Sequence, residues 1–148
     1  MIHPLEAKPY IKPLDLQVCF RSVIIDAYLI LNDPEWNQGY ANGYIRVSKE
    51  HPWYKECESD YPYIHSSVHG GVTCHAIDRQ EGSAVIGFDT RHLGDNPTDQ
   101  DSAYCIAQVN ILALDALEAY TAHKRKIDKI QNMSIEELRE ELTKCLTE

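Results

Sequence analysis

The sequence predicts an α+β fold in which a small antiparallel sheet packs against a long C-terminal helix. Short β-branched segments occupy the middle of the chain, and apolar residues at helical spacing dominate its C-terminal third. No internal repeat or low-complexity linker separates the two parts. A chain of 148 residues has the length of one domain, so we expect a single α+β domain over residues 1–148.

The N-terminal part is predicted to contain an extended arm and a helix. Residues 1–13 include three prolines, which favour extended backbone. Over residues 14–31 the apolar residues recur at helical spacing, although the β-branched residues there would also suit a buried strand. We predict a helix that ends at residues 32–34, Asn-Asp-Pro.

Three central segments have the alternation and β-branching typical of strands: residues 43–48, 71–77 and 83–88. Between the first two, residues 51–63 are rich in proline and aromatic side chains. We predict that this stretch is a long irregular loop with a functional or oligomer-contacting role.

A long helix is predicted from about Ser102, with Asp99 or Asp101 as its N-cap. Its apolar face is so broad that a small sheet alone would not cover it, so we expect a second copy of the chain to contribute. The chain is therefore predicted to be an obligate homo-oligomer.

A last short helix is predicted after a capping box formed by Ser134 and Glu137. Leu138 and Leu142 are expected to face inward from this helix.

Composition and charge exclude several classes of protein. The chain is 43% hydrophobic and 25% charged, as soluble domains are, and it has neither an apolar membrane span nor a secretory signal pattern. The net charge of -9 disfavours nucleic acid or a membrane surface as partner, since clustered cations bind those. Five scattered cysteines without a C-x-x-C pair disfavour a disulfide framework and a zinc ribbon, so we expect mostly buried thiols in a cytoplasmic protein.

Two glycine-containing segments concentrate side chains that carry chemistry. His69-Gly70-Gly71-Val72-Thr73 is followed by residues 87–95, Gly-Phe-Asp-Thr-Arg-His-Leu-Gly-Asp. The Gly70-Gly71 pair would bring backbone N–H groups close to an anion, or would start a strand after a left-handed turn; both interpretations stay open. Arg91 is the best candidate for a phosphate contact, because its guanidinium donates in bidentate fashion.

For His69 and Phe88, a role in ligand binding and a purely structural role are both open. His69 could donate to a phosphate or only bond a nearby carbonyl, and Phe88 could stack on a base or lie in the core. We predict that His69, Thr73, Asp89, Arg91 and His92 converge on one cleft. The predicted ligand-binding residues are His69, Gly70, Gly71, Thr73, Phe88, Asp89, Arg91 and His92.

A metal-binding site is an alternative interpretation of the same part of the chain. The available imidazole, thiol and carboxylate groups are those of His65, His69, Cys74, His75, Asp89, His92 and Asp95. Their spacing matches no closed zinc motif, and Asp89 and Asp95 are equally suited to capping turns. Cys74 and His75 would point to opposite faces of a strand, which disfavours a nucleophilic pair. The sequence therefore assigns no metal ligand, no cofactor and no catalytic residue.

Four motifs of the central block resemble, in order, those of a small family of phage and prophage proteins. That family has a strand NGYV, a following HP, then HGG-T and GFD--H-GD. The corresponding segments here are Gly43-Tyr44-Ile45-Arg46-Val47, His51-Pro52, residues 69–73 and residues 87–95. The resemblance covers about residues 42–120. It implies kinship with phage proteins that sequester nucleotide-derived immune signals, such as the Thoeris anti-defence proteins that trap cyclic ADP-ribose isomers.

We therefore expect an accessory protein of the host cytoplasm that sequesters a small anionic nucleotide-like ligand and so counters host immune signalling. Two alternatives stay open: a metal-dependent hydrolase of a phosphate ester, and a protein-binding inhibitor that has no small-molecule ligand. The aromatic residues that could wall a ligand pocket are Tyr44, Trp53, Tyr54, Tyr61, Tyr63 and Phe88.

Overall fold

A computed structural model describes residues 15–20 and 23–147 of the chain. Its elements are β1 (Asp15–Phe20), β2 (Val23–Leu31), β3 (Ala41–Ser48), α1 (Pro52–Cys57), β4 (Cys74–Asp78), β5 (Ser83–Phe88), α2 (Ser102–Gln131) and α3 (Ile135–Thr147). The five strands form one antiparallel sheet in the order β1-β2-β3-β5-β4. The α+β class and the antiparallel sheet against a long helix are thus confirmed. The predicted arm over residues 1–13 lies outside the described residues.

The predicted helix over residues 14–31 is wrong, because this segment supplies β1 and β2. β2 pairs with a strand on each side, and it is buried on both faces. Ala27 and Leu29 belong to the core cluster that includes α2, whereas Tyr28 and Ile30 pack with Tyr44 on the opposite face. A strand buried on both faces has a continuous apolar run, and such a run does not show the alternation that identifies a strand.

The central strands lie close to their predicted positions. Residues 43–48 and 83–88 are contained in β3 and β5, which pair with each other. β4 begins at Cys74, three residues after the predicted start at residue 71. Thr73 still continues the pairing, since its N–H donates to the carbonyl of Gly87 over 2.9 Å.

Residues 51–63 are not wholly irregular, contrary to prediction, because α1 occupies Pro52–Cys57. His51 caps this helix: its Nδ1 accepts from the Trp53 N–H at 3.0 Å, and its Nε2 donates to the Ala116 carbonyl of α2 at 2.7 Å. These two bonds hold the ring in one neutral tautomer. Burial lowers the pKa of His51 to about 4.

The first half of α2 packs across the sheet and completes the core. Asp101 is its N-cap, accepting from the Tyr104 N–H at 2.9 Å. The side chains that α2 buries are Cys105, Val109, Leu112, Ala113, Ala116 and Leu117. Among residues 15–20 and 23–147, no helix combines the length and apolar character needed to cross a bilayer.

The capping box before α3 is present, since the Ser134 hydroxyl accepts from the Glu137 N–H at 3.2 Å and donates to the Glu137 carboxylate at 3.1 Å. The expected inward position of Leu142 is wrong, because 63% of this residue is exposed. Leu138 is half-buried. The reason is that α3 follows the exposed end of α2, beyond the residues that pack on the sheet.

Candidate ligand-binding site

The candidate site residues lie where four strand ends meet. β2 and β5 run in one direction and β3 and β4 in the other, so the C-terminal ends of the first pair adjoin the N-terminal ends of the second. We call this the loop end of the sheet. The start of α2 is fixed there too, since the Tyr40 N–H donates to the Gln100 carbonyl at 2.8 Å.

Three buried polar residues bind the loops of this end together: Asn32, Asn42 and Thr90. The Thr90 hydroxyl donates to the Ala41 carbonyl at 2.8 Å and accepts from the Asn32 side-chain amide at 3.0 Å. The Asn42 side-chain oxygen accepts from the Thr90 N–H at 3.0 Å. Because buried polar groups are costly unless bonded, this network fixes the position of residues 89–91 relative to β2 and β3.

Arg91 extends from this network into a surface cleft. Its Nε donates to the Asn32 side-chain oxygen at 3.1 Å. We call the cleft, of about 570 Å³, the Arg91 cleft; the residues that line it are Leu31, Asn32, Asp33, Trp36, Gln38 and Arg91. A second lobe of about 240 Å³ continues to Tyr40 and Pro97. Trp36 is 65% exposed, so most of its indole is accessible.

A second group of polar side chains, the histidine cluster, comprises His69, His92 and Asp95. The His69 Nε2 lies 2.9 Å from one oxygen of the buried Asp95 carboxylate and 3.1 Å from the other. The His92 Nδ1 lies 3.2 Å from the same carboxylate, and the backbone N–H of His92 donates to that carboxylate at 2.8 Å. Asp89 adjoins the cluster, 3.6 Å from the His92 Nδ1.

Helix α2 contributes two side chains that contact His69 of the histidine cluster. The Tyr104 hydroxyl lies 2.7 Å from the His69 Nδ1, and the Gln108 side-chain oxygen accepts from the His69 N–H at 2.8 Å. Burial, followed by the negative charge of Asp95, raises the pKa of the Tyr104 hydroxyl. For Asp95, burial raises the pKa, but hydrogen bonds from His69 and from the His92 backbone outweigh it and hold the pKa below its usual value.

The Gly70-Gly71 pair forms a tight turn beside the cluster. Both residues have left-handed backbone, with φ of 69° and 77°. The Gly71 N–H donates to the Val68 carbonyl at 2.8 Å, which closes the turn. The turn places His69 next to Asp95. The Gly71 N–H, one candidate donor to an anion, is instead bonded to the Val68 carbonyl within the protein.

The predicted site residues thus gather at one end of the sheet but divide into two groups. His69, Gly70, His92 and Asp89 belong to or adjoin the histidine cluster, whereas Arg91 turns toward Asn32. Thr73 is exposed, and its backbone serves the sheet. Phe88 is fully buried, with its ring close to Gly43 and Val109, so it belongs to the core and presents no stacking face.

None of the six aromatic residues predicted as pocket walls lines the Arg91 cleft as the described residues form it. Tyr44, Trp53 and Tyr54 are buried in the core. Tyr61 and Tyr63 are exposed on the segment after α1.

Sequence reasoning missed Trp36, Asn32 and Tyr104. Trp36 follows Asn32-Asp33-Pro34 in a turn-rich stretch, and a large aromatic residue in such a loop is the one signal that could have identified it. Asn32 bonds to Arg91, 59 positions away in the chain, and Tyr104 bonds to His69, 35 positions away, so no local pattern connects them with the site.

Comparison with protein-family models, with curated proteins and with solved structures gives no match. The resemblance to the phage proteins therefore depends on the four sequence motifs.

Proposed function

We propose that this protein binds a small anionic nucleotide-derived signal, of the cyclic ADP-ribose or cyclic nucleotide class, and sequesters it without converting it. The observation that carries the proposal is that Arg91 and Trp36 line the same cleft. A guanidinium and an exposed indole are the groups that bind a phosphate and a base.

Each part of such a ligand has a matching group in the Arg91 cleft. The guanidinium of Arg91 binds a phosphate or pyrophosphate, and its bond to the buried Asn32 holds it in place before the ligand arrives. The indole of Trp36 stacks on the base. Asp33 accepts hydrogen bonds from ribose hydroxyls, a role that carboxylates have in dinucleotide sites.

The size of the cleft supports a small-molecule ligand. Its volume of about 570 Å³ lies within the range of small-molecule sites, which is roughly 300 to 1,000 Å³. A protein-binding inhibitor would instead present an exposed aromatic patch with no deep pocket. The net charge of -9 remains unfavourable for nucleic acid as the ligand, so the proposal is restricted to small anions that one guanidinium can hold.

The biological setting of the proposal comes from the resemblance to phage proteins. A phage-encoded protein that traps a signal in the host cytoplasm would lower the free concentration of that signal and so counter host immune signalling. Sequestration needs tight binding and slow release, and it needs no cofactor.

Self-association is part of the proposal, although its basis is narrower than the sequence indicated. The sheet covers most of the apolar face of α2, since Leu112 is fully buried within one chain. The apolar side chains that stay exposed on α2 and α3 include Leu114, Ile130, Ile135 and Leu142. A groove of about 380 Å³ beside Leu114 and Leu117 would accept a second copy.

Titration calorimetry tests the ligand proposal, with a panel of ADP-ribose, cyclic ADP-ribose isomers and cyclic mono- and dinucleotides. We expect one member of the panel to bind, and Arg91→Ala to weaken that binding by roughly ten- to a hundredfold, because a hydrogen bond to a charged group contributes about 1.5 to 3 kcal/mol. Arg79→Ala is the matched control, since Arg79 is exposed on the turn between β4 and β5 at the opposite end of the sheet. No heat with any member would refute the proposal.

Recovery of the ligand separates sequestration from hydrolysis. After heat denaturation of the complex, we expect mass spectrometry to find the ligand unchanged. A hydrolysed product would contradict sequestration and favour the phosphate-ester hydrolase.

A further inference from the structure

We propose that His69, His92 and Asp95 form a binding site for one divalent transition-metal ion, for which Zn²⁺ is the best match. This site is separate from the Arg91 cleft, and the inference does not depend on nucleotide binding. Two imidazoles and one carboxylate form the three-residue ligand set of open zinc sites, in which solvent or substrate completes the coordination.

The donor atoms are already close together. One ligand atom from each of the three residues lies within 4.8 Å of the others. His69 Nε2 and His92 Nδ1 lie 2.9 Å and 3.2 Å from oxygens of Asp95. Ligands about 2.1 Å from a tetrahedral zinc ion are themselves about 3.4 Å apart, so binding would require only small movements.

The three residues differ in burial in a way that suits an accessible ion site. Asp95 is buried, so a charge at the cluster would be stabilised by a carboxylate with little access to competing water. The His92 side chain is 39% exposed, which opens one side of the cluster to entering ions. Asp89 lies 3.6 Å from His92 Nδ1, at the edge of the cluster and outside the three-residue ligand set.

Tyr104 provides the outer contact that a metal-binding histidine requires. When Nε2 of His69 binds an ion, the proton of the neutral ring must sit on Nδ1. The hydroxyl 2.7 Å from Nδ1 can accept that proton's hydrogen bond, since a tyrosine hydroxyl both donates and accepts. The Gln108 bond to the His69 N–H fixes the backbone that presents the ring.

The ligand types select the class of ion. Imidazole nitrogen binds zinc and the neighbouring transition metals more strongly than it binds Mg²⁺ or Ca²⁺, which prefer an all-oxygen shell. A buried carboxylate between two imidazoles therefore predicts Zn²⁺ or Co²⁺ binding and little response to Mg²⁺.

The experiment uses the full chain, stripped with a chelator and then titrated with Co²⁺ alone. We expect a visible ligand-field absorption that saturates at one ion per chain and disappears on addition of Zn²⁺. His92→Ala should abolish the absorption, and Tyr104→Phe should weaken Co²⁺ binding by roughly ten- to a hundredfold. The controls are His65→Ala and His75→Ala, whose exposed side chains lie outside the cluster.

Two outcomes would overturn the site: a wild-type protein that shows no saturable absorption with Co²⁺, or an absorption that persists in His92→Ala. Circular dichroism checks the fold of each variant, and Tyr104→Phe decides the question if His92→Ala does not fold. Because only the metal is titrated, failure here leaves the nucleotide proposal intact, and failure of the calorimetric panel leaves this site intact.

Discussion

The imidazole of His92 occupies the space that a side chain at position 70 would need. A Cβ built on Gly70 would lie 2.4 Å from the Cε1 of His92, whereas a Cβ on Gly71 would meet no atom within 4 Å. The two glycines thus have different reasons to be glycine. Both accommodate left-handed backbone, but only Gly70 makes room for His92.

The difference between the two glycines gives a matched pair of variants. Gly71→Ala should lower the free energy of unfolding by about 1 to 2 kcal/mol, the cost of left-handed backbone for a residue with a Cβ, and Gly70→Ala should lower it by more, because its Cβ would also clash with His92. Gly70→Ala should also displace His92 and weaken Co²⁺ binding, which Gly71→Ala should leave unchanged. Urea unfolding and the Co²⁺ titration measure the two effects; equal loss of Co²⁺ binding in both variants would argue against this assignment.

Removal of the Thr90 hydroxyl tests the buried network at the loop end. Thr90→Val leaves the Ala41 carbonyl with only the weaker thiol donor of Cys105 and removes one of the acceptors of the Asn32 side-chain amide. We expect a loss of about 1 to 3 kcal/mol in the free energy of unfolding, because unsatisfied buried polar groups are costly. Thr73→Val, at an exposed position, should change it by less than about 0.5 kcal/mol. Similar values for the two variants would show that the network does not stabilise the fold.

The buried His51 predicts a loss of stability in acid. Its pKa is about 4 in the folded chain, against an ordinary value of 6.5, so the unfolded chain binds more protons between these values. Stability therefore falls as the pH drops through that window. Complete protonation of His51 in acid should lower the free energy of unfolding by about 3 kcal/mol, because a difference of one between the folded and unfolded pKa corresponds to about 1.4 kcal/mol.

Urea unfolding at about pH 7 and about pH 4.5, near the two ends of this window, measures the effect. His51→Gln should lower stability at neutral pH and should flatten the pH dependence, whereas His65→Ala, at an exposed site, should retain the wild-type dependence. An unchanged pH dependence in His51→Gln would assign the acid sensitivity to other groups.

Self-association can be tested with two leucines of α2. Leu112→Lys should unfold the protein in any oligomeric state, because the side chain is fully buried within the chain and an unpaired buried charge costs several kcal/mol. Leu114 is 56% exposed, so Leu114→Lys should leave the fold intact and dissociate the oligomer. Light scattering that finds a wild-type monomer at micromolar concentration would refute the proposed oligomer.

The parts of the fold that can be predicted from sequence are those with a local signal. Asp101 and Ser134 mark helix starts through side-chain caps, and β3 and β5 show β-branched alternation. The sequence of β2 instead resembles a helix, because burial on both faces removes alternation. The helix that contains Trp53 and Tyr54 does have a local start signal, a proline in its first turn, but its N-cap His51 is not one of the usual capping residues and is held by a contact with α2.

The sequence predicts where in the fold the candidate site lies, but it does not predict which residues line the Arg91 cleft and which form the histidine cluster. Both glycine-containing segments lie at the loop end of the sheet, as their flanking strands indicate. The direction of individual side chains is not predictable, since neighbours Arg91 and His92 turn to different partners. The place of Trp36 beside Arg91 depends on the pairing of β2 with β3 and of β3 with β5, which no local pattern shows.

Tryptophan emission during ligand titration tests the central claim most directly, because the chain has two tryptophans and only Trp36 is exposed, while Trp53 is buried. For the panel member that binds, we predict saturable quenching at one ligand per chain, absent in Trp36→Phe and shifted to roughly ten- to a hundredfold higher concentration in Arg91→Ala. Quenching that persists in Trp36→Phe, or no change in emission with any member of the panel, would contradict a nucleotide site in the Arg91 cleft.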